Sequence, residues 1–125
     1  MLINIYAGWI ALLVGVLTGI TTGVFFHKEE LFGGYGSWTR RLMRLGHVSF
    51  FGLGFINLLF GLTVRTLGIE SGIYGPSIFL VLGLIAMPLV CYLSAFRKAI
   101  RHLFFIPVFS ALAGVILFLW RMGQL

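Results

Sequence analysis

Apolar and polar residues along this chain fall in blocks rather than in a short period. Four mostly apolar runs, about Asn4 to Phe26, Leu42 to Leu67, Tyr74 to Phe96 and Leu103 to Arg121, are separated by brief polar stretches. A helix needs about 20 apolar residues to cross the hydrocarbon of a bilayer, where the backbone has no water to bond with and must satisfy itself. Each run meets that length. The pattern predicts an all-α integral membrane protein whose four spans form a single transmembrane domain over residues 1–125.

The connections decide how the spans are arranged. HKEELFGGYGSWTRR, after the first run, has the glycines and mixed charges of a short interfacial loop, while GIESGIYGP and RKAIR are shorter still. Pro76 suits the first turn of the third helix, where a missing N–H leaves no bond unmade. Short links force successive helices to be antiparallel, so the expected architecture is an up-down-up-down four-helix transmembrane bundle.

Composition agrees and excludes other classes. Charged residues make up 10% of the chain and the mean hydropathy is +1.09, against about one quarter charged in soluble domains. The first apolar run lacks a basic leader and is longer than the core of a secretory signal, so it is expected to be retained. The single cysteine, Cys91, sits inside an apolar run and provides neither a disulfide nor a cysteine metal site.

The net charge of +6 does not point to nucleic acid, because the basic residues flank the apolar runs instead of forming a soluble face. Lipid headgroups and other membrane subunits are the expected partners. Lys28, Arg40, Arg41, Arg44, Arg97, Lys98 and Arg101 flank the first and third connections, whereas only Arg65 and Arg121 lie at the opposite end. By the positive-inside rule both termini are expected on the non-cytoplasmic side. Tyr6, Trp9, Tyr35, Trp38 and Trp120 lie where aromatic belts are expected.

Helices associate in lipid by close packing, so small residues aligned on one face mark contacts. Gly15, Gly19 and Gly23 continue a G-x-x-x-G register in the first span, with Gly8, Ala11, Thr18 and Thr22 on the same broad stripe. Gly54 and Gly61 offer a matching face on the second span, close to His47. Asn57, near the centre of that span, is expected to hydrogen-bond to another helix. Pro88 and Pro107 are expected to shape the third and fourth helices.

The polar residues within the spans are few, which leaves the histidines as the main candidates for chemistry. His27, His47 and His102 all fall in one leaflet, the one expected to be cytoplasmic. His47 and His102 on separate helices could hold a b-type haem iron or bond a quinone, with Arg44 and Arg101, or Arg40, as propionate partners. Phe50, Phe51, Phe104, Phe105 and Phe109 would wall such a pocket. In His47, His102 and the adjacent glycines the chain resembles the cytochrome b membrane anchors of respiratory enzymes; that resemblance implies haem histidines on separate helices of a small bundle. Structural and interfacial roles for these histidines are weighed above ligation.

Glu29 and Glu30 belong to a wet loop, and no zinc-protease, nucleophile-elbow or phosphate-loop motif occurs. Catalysis by this chain alone is not expected. The leading expectation is a small accessory or structural subunit of a larger membrane complex, in a respiratory or other electron-transfer assembly. A haem- or quinone-binding redox carrier is the second reading. An oligomeric channel or small transporter is the third, and the lack of acidic or basic residues deep in the spans counts against it.

Overall fold

A computed structural model describes residues 2–125. Its four long helices are α1 (Leu2–Phe25), α2 (Trp38–Thr66), α3 (Tyr74–Phe96) and α4 (Phe105–Met122). All four are long and apolar enough to cross a membrane, which makes this a multi-pass membrane-type helical bundle. Both termini lie at one end, called here the terminal end. The loops rich in Lys and Arg form the basic end.

The boundaries follow local chemistry. α2 begins four residues before the apolar run, because Ser37 caps it: its hydroxyl accepts from the Arg40 N–H at 3.3 Å. At the other end Gly68, at φ 62°, reverses the chain, and the Ile69 and Gly68 N–H groups bond back to the carbonyls of Val64 and Arg65. The same closure brings Ile69 against Val64 in a buried cluster completed by Phe60, Ile73 and Leu80. The last connection is more structured than a loop, since Lys98–Phe104 forms a 3-10 segment leading into α4. Pro107 lies in the first turn of α4, where it has no internal hydrogen bond of that helix to break.

Packing is sequential. α2 has α1 on one side and α3 on the other, and α4 rests on α3. α4 adds a contact to α2 near the terminal end, where the Phe118 ring meets Phe60 edge to face at 4.7 Å. Otherwise α4 is peripheral, burying only Pro107 and Gly114.

Two small-residue contacts set the helix spacing. At the α1–α2 crossing a Cβ on Gly8 would lie 2.7 Å from the Gly54 carbonyl oxygen, and one on Gly54 would lie 3.3 Å from that of Gly8. The two backbones therefore touch directly, as expected where dispersion contacts and weak Cα–H bonds replace apolar burial. α4 seats on α3 in the same way: a Cβ on Gly114 would lie 2.8 Å from the Leu80 side chain, and one on Gly83 would lie 3.1 Å from the Ala111 nitrogen. Of the register on α1, Gly15 lies under Phe51 and Gly19 under His47, but Gly23 faces open space.

Candidate functional site

The polar groups inside the bundle collect in two places. Toward the terminal end, Asn4, Asn57 and Ser77 link α1, α2 and α3. The Asn4 amide donates to Asn57 Oδ1 at 2.8 Å and to the Ser77 carbonyl at 3.3 Å, while the Ser77 hydroxyl donates to Asn4 Oδ1 at 2.5 Å. Asn57 Nδ2 donates to the carbonyls of Leu53 at 2.9 Å and Leu80 at 3.1 Å. Both side-chain amides are fully buried, and all of their hydrogens are used. A fully satisfied network of this kind holds helices in register and leaves nothing to offer a ligand. Neither Asn4 nor Ser77 stood out in the sequence; the available signal was that Asn4 shares a helical face with Gly8, Ala11 and Gly15.

The second group surrounds His47. Its Nδ1 lies 3.1 Å from the Thr18 hydroxyl, which itself bonds the Gly15 carbonyl at 3.0 Å. Thr18 has one hydrogen, and that hydrogen is used on Gly15. With the Thr18 hydrogen on Gly15, a neutral imidazole donates from Nδ1 and carries its lone pair on Nε2. The ring lies on Gly19, where a Cβ would come within 2.8 Å, and meets the Phe51 ring edge to face at 5.3 Å.

Close to Thr18 lies the hydroxyl of Tyr92 on α3, buried and without hydrogen-bond geometry to any group among the described residues. The Tyr92 ring covers Gly46, where a Cβ would come within 2.9 Å. It also lines a groove between α1 and α3. That groove has a volume of about 500 Å³, a floor formed by Phe50 of α2, and walls that include Ala7, Val14, Leu84 and Pro88. α1 and α3 are bridged by Asn4 and Ser77 at the terminal end. Below that bridge α1 and α3 make little contact, which leaves the space.

His47 turns toward α1, whereas His102 is exposed on the 3-10 segment, which rests on α3. The structure does not bring these two imidazoles together. His27 is exposed and bonds back to the Val24 carbonyl. Arg44 donates to the Tyr35 carbonyl at 2.9 Å and lies 4.0 Å over the Tyr35 ring, and Arg101 is exposed. Phe50 does line the groove, but Phe51 packs on Gly15, and Phe104 packs on the cluster of Leu42, Cys91 and Ala95. Asn57 bonds across to α1 and α3. Gly54 and Gly61 are buried in α2. Among the described residues no three His, Cys, Asp or Glu side chains converge on one point.

The loop at the basic end is held by a buried arginine. Arg40 donates from Nε to the Leu31 carbonyl at 2.7 Å, from a terminal nitrogen to the Lys28 carbonyl, and lies 4.6 Å over the Phe26 ring. Beside it Trp38 Nε1 and the Thr39 hydroxyl donate to the Ser94 and Ala95 carbonyls at 2.7 and 2.9 Å, satisfying the last turn of α3. Arg121 mirrors this at the terminal end, donating from Nε to the Ser71 carbonyl at 2.9 Å.

Set against models of known protein families, against curated proteins and against solved structures, the chain matches none.

Proposed function

We propose that this protein is a small accessory subunit of a larger membrane complex concerned with electron transfer. In this reading it is inserted with its basic end in the cytoplasm and both termini on the other side. The observation that carries it is the placement of α4. That helix touches the rest of the chain mainly through α3 and leaves a long apolar face uncovered, with Phe105, Leu112, Leu119 and Trp120 exposed. A peripheral helix joined by small-residue contacts suits a chain that adds its edge to neighbouring subunits.

The rim supports the same reading. Arg41, Arg97, Lys98 and Arg101 are exposed beside one another in sequence or at one end of the bundle, where anionic headgroups and acidic partner loops would meet them. Electron transfer enters through His47, whose free Nε2 and aromatic surroundings are compatible with a neighbouring redox group.

Purification from native membranes in mild detergent tests the proposal. The expected result is co-migration with stoichiometric partner subunits that carry a visible redox spectrum. Leu112→Glu on the outer face of α4 should detach this chain from its partners. Recovery of the protein alone after crosslinking in the membrane would overturn the subunit reading.

A further inference from the structure

We propose that Arg41, Lys98 and Arg101 bind the headgroup phosphate of an anionic phospholipid, in the notch between the start of α2 and the 3-10 segment Lys98–Phe104. This goes beyond the subunit reading and does not depend on it, because every residue of the site belongs to this chain.

The notch has a fixed base. Trp38 Nε1 and the Thr39 hydroxyl donate to the Ser94 and Ala95 carbonyls at 2.7 and 2.9 Å, which pins the first turn of α2 to the end of α3. Lys98 Nζ stands 5.8 Å from the centre of the Trp38 ring. In a 3-10 helix side chains three apart are eclipsed, so Lys98, Arg101 and Phe104 share one edge of their segment. Both ends of that edge are seated: Lys98 on Trp38, and Phe104 on the cluster of Leu42, Cys91 and Ala95. Arg101 lies between them on the same edge. Arg41 joins the group from α2, because a residue three after Trp38 is its neighbour on the helix surface. All three cations are exposed.

No acid of the chain stands on this side to neutralise them. The acids are Glu29, Glu30 and Glu70, and Glu70 follows α2 at the terminal end. Glu29 and Glu30 lie between Lys28 and Leu31, whose carbonyls are held by Arg40. Arg40 projects from α2 about 160° round the helix from Trp38, so that loop is on the far side. The counter-charge for Arg41, Lys98 and Arg101 therefore comes from another molecule.

The surface below the cations says which one. Leu45 and Val48, one and two turns after Arg41 on the same face of α2, are exposed and lie about 6 and 10 Å deeper at 1.5 Å per residue. Cations above an open apolar stripe match a molecule with an anionic head and a hydrocarbon tail. A soluble anion or an acidic protein loop would use only the upper half. Trp38 sits where the two halves meet, at the headgroup depth that indole rings favour.

The test uses the full-length protein in detergent micelles, with Trp9→Phe and Trp120→Phe leaving Trp38 as the reporter. It is titrated with phosphatidylglycerol or phosphatidylcholine carrying brominated acyl chains. Phosphatidylglycerol should quench Trp38 saturably, at mole fractions where phosphatidylcholine quenches only in proportion to its amount. Lys98→Gln and Arg101→Gln should each weaken phosphatidylglycerol binding about fivefold, the effect of one surface cation, and together about 25-fold. Arg65→Gln, at the terminal end, should change nothing. If the tryptophan variants misfold, native mass spectrometry of the unaltered protein reads the same preference as retained phosphatidylglycerol. Equal binding of the two lipids, or wild-type affinity in the double glutamine variant, would overturn the assignment. So would displacement of the lipid by equimolar glycerol phosphate, which marks a free-phosphate site, or by equimolar hexaglutamate, which marks a docking surface for acidic protein.

Discussion

Gly8 and Gly54 face each other across the α1–α2 crossing so closely that each Cα lies beneath the other's carbonyl. No side chain fits between them. Gly8→Val should push the helices apart, costing about 1–3 kcal/mol as an overpacked contact. Gly23→Ala, on the same register but facing open space, should be neutral or slightly stabilising. Unfolding in mixed micelles by added denaturing detergent reads both, and equal losses at the two positions would contradict the packing.

The amide network couples three helices, so its members should not behave independently. Asn57→Leu leaves the buried Asn4 amide with one of its two hydrogens unpaired, and should cost about 1–3 kcal/mol. The double variant Asn4→Leu with Asn57→Leu should cost clearly less than the sum of the single losses, because neither partner is then left unpaired. A double-mutant cycle giving simple additivity would falsify the network.

The tautomer of His47 is fixed by its neighbour. Nitrogen-15 spectra of the neutral imidazole should show the proton on Nδ1, since Thr18 gives its only hydrogen to Gly15. Thr18→Val should remove that preference. A proton found on Nε2 in the wild type would mean that Thr18 turns the other way.

Arg40 holds the loop at the basic end with donors that point in two directions, which a lysine cannot reproduce. In Arg40→Lys, amide exchange across residues 28–36 should accelerate severalfold, while Arg101→Lys, at an exposed site, should leave it unchanged.

Orientation is open to direct chemistry. Cys91 is fully buried and should resist a membrane-impermeant maleimide in intact cells. Glu70→Cys, exposed near the terminal end, should react, whereas Gly36→Cys at the basic end should react only after the membrane is opened. The reverse pattern would invert the proposed topology.

The spans were legible because membrane insertion writes itself as uninterrupted length, and Tyr74–Phe96 coincides with its apolar run. α2 starts earlier than its run because a cap at Ser37 outweighs the polarity of Thr39, Arg40 and Arg41. The glycine face of α1 was readable as far as Gly19, since helical periodicity places it; that Gly23 extends past the contact depends on where α2 ends its approach. The candidate site was harder to foresee. His47 drew attention as a rare polar residue, yet which helix it faces is a tertiary fact. Tyr92 passed as one more aromatic residue, because only the fold places its hydroxyl beside Thr18 and its ring along a groove. One local hint existed: it follows Pro88 by one helical turn, on the same face.

The peripheral seat of α4 has a consequence for biogenesis. Every buried amide hydrogen of Asn4 and Asn57 finds its partner within α1, α2 and α3. Those helices can complete their interior before α4 is in place. α4 then docks by shape, against Gly83 and Leu80, with Arg121 fastening its far end to Ser71. Its arrival is the one stage of assembly that can wait for another subunit without leaving a buried amide unpaired in lipid.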